Sequence, residues 1–239
     1  MEHEIIGHSK KAIEIMKSHD KPFWDKSKEI LIEVLIIVFA VSFAALIERT
    51  REHYKEKSEA KAFVISLEGD LDSDIGEIRD SQKGIAIMKK NYSYIAQLKP
   101  PAIDSIEKGK GHWSFNISKF FTKPTTGRYD GFKSSGKIQT IENESLRNDI
   151  LTYYEKDLPQ MSFIETLFDQ NQQRLEELFI NNANVNGNNS IDPIKLLTSE
   201  RGKILLEFVA GYSGEVAQTY ANALKDAQKL KKEIDKEYK

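Results

Sequence analysis

The order of apolar and polar positions divides the chain into regimes. Ile30 to Ile47 is a run of 18 residues in which only Glu33 and Ser42 are polar. A helix of that length reaches roughly 27 Å, close to the ~30 Å of a hydrocarbon core. A soluble core helix would show polar residues every third or fourth position, and an interfacial helix would show a polar face. A cleaved signal peptide would fit the Ser42-x-Ala44 spacing, but the 29 residues before the run are long and mixed in charge for an n-region. The run therefore predicts an uncleaved transmembrane helix over 30–47. Phe23 and Trp24 before it and Tyr54 after it suit aromatic anchors at the interfaces. Glu33, about one turn inside, either snorkels to the headgroups or makes a polar contact between copies of the helix.

From Glu48 the pattern changes. Residues 48–63 are mostly charged helix formers of alternating sign, which predicts a stalk continuing the membrane helix into water. Val64, Leu67, Leu71, Ile75, Ile78, Ile85, Met88, Tyr92, Ile95 and Leu98 then recur at steps of three, four and seven, a helical stripe near heptad spacing. Pro100-Pro101 ends it. Residues 100–137 read as the least regular part, with a small aromatic cluster from Trp113 to Phe121 taken as a cap on a bundle. Thr125 or Thr126 can cap a short helix through Phe132.

A second long helix is expected from near Glu142, carrying Leu146, Ile150, Tyr153, Leu158, Met161, Phe168, Leu175 and Leu178, with Pro159 kinking or splitting it. Asn181 to Ser190 is a polar loop. Asp192-Pro193 is a helix start with Asp as N-cap and Pro at N1. A last helix runs from about Thr198 to Tyr238, with Ile204, Phe208, Val209, Tyr212, Val216, Tyr220, Leu230 and Ile234 on one side. The fold class this predicts is all-α: a single N-terminal transmembrane helix continuing into a long stalk helix, then an antiparallel helical bundle. The expected divisions are 1–29, a short N-terminal segment; 30–47, the transmembrane helix; 48–63, the charged stalk; and 64–239, the bundle.

Composition narrows the chemistry. The 239 residues contain no Cys, which excludes disulfides, thiolate metal sites and a cysteine nucleophile. Thirty-five Lys+Arg against 37 Asp+Glu give a net charge of −2, which argues against nucleic acid as a partner. Charge does not set the orientation of the span: four basic residues in 13–29 face five in 48–64. An early single span with a large following domain is commonly a signal-anchor, and on that ground the N-terminus is expected inside.

No catalytic signature emerges. The five His (His3, His8, His19, His53, His112) form no i,i+4 pair or HExxH. Asp70, Asp72 and Asp74 alternate like a calcium loop, but the Gly and Glu positions of an EF-hand hold Ile75 and Ser81. The stretch Glu68 to Asp80 therefore reads as a solvated acidic face. No cofactor is implied.

One element is more distinctive. Lys133-Ser134-Ser135-Gly136 follows a short helix and reads as a tight corner, with Gly136 supplying φ > 0 and the hydroxyls capping free backbone groups. A notch for a ligand or partner is the alternative. With Lys28 to Val38, Leu67 to Asp72, Tyr129 to Ile138 and Glu144 to Tyr154, the chain resembles a large uncharacterised family of bacterial inner-membrane proteins, a domain of unknown function, over roughly residues 25–180. The resemblance implies a single span, a helical soluble domain and bacterial inner-membrane placement, and no activity.

The expected function is a membrane-anchored helical scaffold or interaction protein, not an enzyme, whose partners are the lipid bilayer and either further copies of itself or another membrane protein. A second expectation is an extracytoplasmic helical sensor that signals through its span to a partner.

Overall fold

The computed structural model describes residues 6, 7, 10, 13, 14, 23–110, 114–117, 121–182 and 192–238. Seven α-helices are followed here: α1 (Phe23–Ala96), α2 (Pro100–Glu107), α3 (Gly127–Ser134), α4 (Glu144–Thr152), α5 (Leu158–Asn182), α6 (Pro193–Thr198) and α7 (Glu200–Tyr238). A 3-10 turn, Lys137–Thr140, and a π turn, Tyr153–Asp157, join them, and no strand occurs among the described residues. The chain divides into two compact units, Met1–Glu59 and Ala60–Lys239.

In the first unit, α1 presents its apolar residues outward. Leu31, Ile32, Leu35, Val38, Phe39, Phe43 and Leu46 are all exposed, on every side of the helix. A helix apolar all round is stable only where something apolar covers it. By length and composition it is fit to cross a membrane.

The second unit is a bundle. Val64, Leu67, Leu71, Ile75, Ile78, Ile85, Met88, Tyr92, Ile95 and Leu98, the stripe read from the sequence, are all buried. Each such aliphatic side chain contributes about 1.5–3 kcal/mol of burial. They pack with Leu146, Ile150, Leu158, Met161, Phe168 and Leu175, and with Leu206, Val209, Val216, Tyr220, Leu230 and Ile234.

Cross-helix pairs give the directions. Lys231 meets Asp72, Lys89 lies over Gly214, and Lys203 Nζ donates to Leu98 O, so α7 runs antiparallel to α1. Lys229–Asp149 and Tyr220–Glu165 likewise set α7 antiparallel to α4 and α5. Tyr153–Asp74 and Gln172–Tyr92 set α5 parallel to α1, which the crossover between Gln97 and Asn143 permits.

Local chemistry explains the ends. Pro100-Pro101 ends α1 as expected, but it also opens the short helix α2, because a proline at N1 or N2 loses no intrahelical bond. The Asn143 side chain accepts from Leu146 N–H and starts α4, while Asp192 accepts from Ile194 N–H and starts α6. Before Pro159 the long helix is interrupted by the π turn Tyr153–Asp157, which divides it into α4 and α5. The ring of Pro159 would collide with the carbonyl four residues back, and the preceding turn widens instead, with Leu158 N–H donating to Tyr153 O. At the start of α7, a Cβ on Gly202 would meet the carbonyl oxygens of Leu196 and Leu197, so only Gly allows α6 to close on α7. In the first turns of α7 Val209 is buried as expected, but Leu206 is buried too, and Ile204 and Phe208 of the expected stripe face out.

Candidate functional site

Several buried polar groups of the bundle gather around the irregular stretch 121–126 and the first turn of α3 that follows it. On α1, Asp70, Asp74 and Glu77 stand at i, i+4 and i+7 and so share one face. The stretch crosses this row residue by residue. Arg128 pairs with Asp70 and also donates to Ser66 O at 3.2 Å. Thr125 N–H donates to Asp74 Oδ1 at 2.9 Å, and Lys123 N–H to Glu77 Oε1 at 2.8 Å. At the other side, Glu165 of α5 accepts from Thr122 N–H at 3.2 Å, from Thr122 Oγ1 at 2.8 Å and from Tyr220 Oη at 2.6 Å. Helix carboxylates thus take the place of backbone acceptors for a segment that has no ladder of its own.

Asp70 and Asp74 are therefore not part of a solvated acidic face. Asp70 is 5% and Asp74 1% exposed. The alternation that suggested a face is split by the helix: i and i+4 turn inward, while Asp72 between them stays at the surface and pairs with Lys231.

The π turn supplies the facing wall. Tyr153 Oη donates to Asp74 Oδ2 at 3.0 Å. Tyr154 stacks on Tyr129 with ring centroids 4.4 Å apart and meets Tyr153 edge-on at 5.1 Å. Glu155 accepts from Tyr129 Oη and pairs with Lys133. Burial holds the carboxyls of Asp74 and Glu165 above the ordinary carboxylate range, and the donors on each only partly offset it. Lys133 draws Glu155 below that range. Burial also pushes the phenols of Tyr129, Tyr153 and Tyr220 upward. All three donate their hydroxyl hydrogens to carboxylates: Tyr129 to Glu155, Tyr153 to Asp74 and Tyr220 to Glu165. Among the described residues no three His, Asp or Glu side chains converge as a metal site.

Lys133-Ser134-Ser135-Gly136 forms the adjoining corner. Ser135 Oγ donates to Phe132 O at 2.7 Å, Gly136 N–H donates to Lys133 O at 2.9 Å, and Gly136 has φ 75°. Ser134 is the exposed last residue of α3. The corner thus anchors α3, and Lys133 carries it to the π turn. Thr126 stands at the N-cap of α3 but makes no side-chain cap, since the backbone there is already helical. The threonine contribution comes instead from Thr125 and Thr122, through the carboxylates of Asp74 and Glu165, 51 and 43 residues away in the chain.

The remaining residues singled out from the sequence lie apart from this site. Glu33 is 6% exposed although its neighbours Ile32 and Val34 face out. Trp24 and Tyr54 are exposed, and the side chain of Phe23 lies outside the described residues. In the aromatic cluster, Trp113 and Phe120 lie outside them too. Phe115 packs between Tyr92, at 5.8 Å, and Phe179, at 5.3 Å, closing that end of the core.

Fold and site together define an all-α protein with one apolar helix fit to span a membrane and a helical bundle fastened by buried carboxylates. The chain belongs to the Family of unknown function (DUF6090), whose family model matches residues 29–193. No curated protein and no solved structure matches it.

Proposed function

We propose that this is a membrane-anchored interaction protein of the bacterial inner membrane, a non-enzymatic scaffold that assembles through its helical bundle with further copies of itself. In this reading α1 crosses the bilayer over 30–47 with the N-terminus in the cytoplasm, Trp24 and Tyr54 lie at the two interfaces, and Glu33 is a polar contact inside the membrane. The lipid bilayer is one partner and another copy the second; nucleic acid is not one.

The observation that carries the assembly is on α7. Ile204 and Phe208, one helical turn apart, are 49% and 54% exposed, and with Gly211 and Tyr212 they line a shallow cavity of about 380 Å³. Adjacent large apolar side chains left in water mark a contact surface. The polar groups of the site support the same reading, because they are engaged in fastening the fold.

The test is the mass of the full chain in detergent. A multimer that Ile204→Lys with Phe208→Lys converts to monomer supports the proposal. A wild-type chain that is monomeric across the accessible concentration range defeats the self-assembly.

A further inference from the structure

The outward face of α7 is patterned symmetrically about Phe208. Leu206, Val209, Val216 and Tyr220 turn to the core, which leaves the opposite face of the same turns in water. On that face Ile204 and Tyr212 stand four residues either side of Phe208, and Arg201 and Glu215 stand seven residues either side. Seven residues make two helical turns, about 10.5 Å, so the five positions form one stripe. Its centre is apolar: Ile204 and Phe208 are exposed, and half-buried Tyr212 lines the shallow cavity with them. Its ends carry opposite charges, and both Arg201 and Glu215 are exposed. Among the described residues neither of the two enters an ion pair.

A two-fold axis through Phe208, perpendicular to α7, maps such a stripe onto itself with its ends exchanged, and a closed pair of identical chains needs a self-complementary surface of this kind. An antiparallel α7 of a second copy sets Phe208 on the partner's Phe208 and Ile204 on the partner's Tyr212. It also sets Arg201 on the partner's Glu215, and by symmetry this pair occurs twice. Parallel pairing in register does the reverse, with arginine facing arginine and glutamate facing glutamate. Charges at such a rim add little affinity but decide between orientations, while the apolar centre supplies the attraction. We infer that α7 pairs antiparallel with α7 of a second copy about an axis at Phe208, its direction set by Arg201 and Glu215. This rests on the self-assembly proposed above and gives it a geometry. Within each bundle Lys203 reaches Leu98 O near the stripe, whereas Lys61 lies over the ring of Tyr238 at the far end of α7. The Lys61 ends of the two bundles therefore point away from each other, and the copies meet head to head.

Analytical ultracentrifugation of the full chain in detergent tests it by charge reversal. Arg201→Glu and Glu215→Arg, each alone, turn two attractions into repulsions and should weaken the dimer about tenfold. An equimolar mixture of the two variants restores both opposite-charge pairs and should recover the affinity of the wild type, as should the double variant. Recovery on mixing also shows that both variants are folded. Two outcomes overturn the inference while leaving the self-assembly standing. One is a dimer lost with Ile204→Lys and Phe208→Lys but indifferent to either reversal, as parallel pairing would give. The other is a loss on single reversal that neither the mixture nor the double variant recovers. A wild-type chain that stays monomeric defeats the self-assembly and this geometry together.

Discussion

Tyr153 donates its phenolic hydrogen to Asp74 Oδ2 at 3.0 Å, inside the core, joining residues 79 apart in the chain. The bond links the π turn to α1 at the carboxylate that also holds Thr125 N–H. Tyr153→Phe keeps the ring and removes the donor. The expected loss is about 1–3 kcal/mol, because one oxygen of a buried carboxylate is left without its partner. Urea unfolding followed by circular dichroism reads it, and an unchanged midpoint would assign the pair no energetic role.

Asp74 and Glu165 give the stability a dependence on pH. Burial raises their folded carboxyls above the ordinary values of 3.8 and 4.5, so the folded state holds these protons more tightly than the unfolded chain. Their contribution is fully present below those ordinary values and is lost as pH rises through the raised ones. Asp74→Asn and Glu165→Gln should therefore remove part of the stability gained on acidification through that window. Unfolding midpoints at a series of pH values test this: slopes identical in wild type and both variants would contradict it.

Gly202 closes α6 against α7. Alanine there brings its Cβ onto the carbonyl oxygens of Leu196 and Leu197, which are backbone and move only with their helix. Overpacking of this kind costs about 1–3 kcal/mol. Gly211→Ala, where a Cβ meets nothing within 4 Å, is the control and should be neutral or slightly stabilising. Equal midpoints for the two variants would refute the close approach.

Gly136 has φ 75°, a region that costs other residues about 1–2 kcal/mol. Gly136→Ala should lower stability by about that amount, and Gly136→Asn by less, since Asn tolerates the left-handed region. The order of the three midpoints is the check.

Phe39 lies at the middle of the apolar run. An arginine there should disfavour insertion by about 2.5–3.5 kcal/mol. Alkaline extraction of membranes then releases the Phe39→Arg chain while the wild type stays with the pellet. Release of both chains alike would speak against the span.

Much of this fold is legible in the sequence because helical stripes obey one period. All ten apolar positions read from Val64 to Leu98 are buried, and Asp192-Pro193 starts a helix as its chemistry requires. The reading slipped at the start of α7. Ile204 and Phe208 fit the stripe of α7 by spacing but face out, and Leu206, which the stripe left out, is buried beside the expected Val209. The buried site was nearly invisible. Asp70, Asp72 and Asp74 look alike in one dimension, and only a count in fours puts Asp70 with Asp74. What buries them is a segment about 50 residues away, whose path no local signal sets. The π turn was signalled only by Pro159, which predicts a disturbance and leaves its form open.

The segment 121–128 meets its carboxylates across 43, 46 and 51 residues. Such contacts must wait until long loops have closed, whereas the turns of α1, α5 and α7 close locally and early. This predicts that the clasp forms late in folding. Weakening it by substitution at Asp74 or Glu165 should leave the rate of folding almost unchanged and quicken unfolding, so these carboxylates govern how long the native bundle lasts once formed.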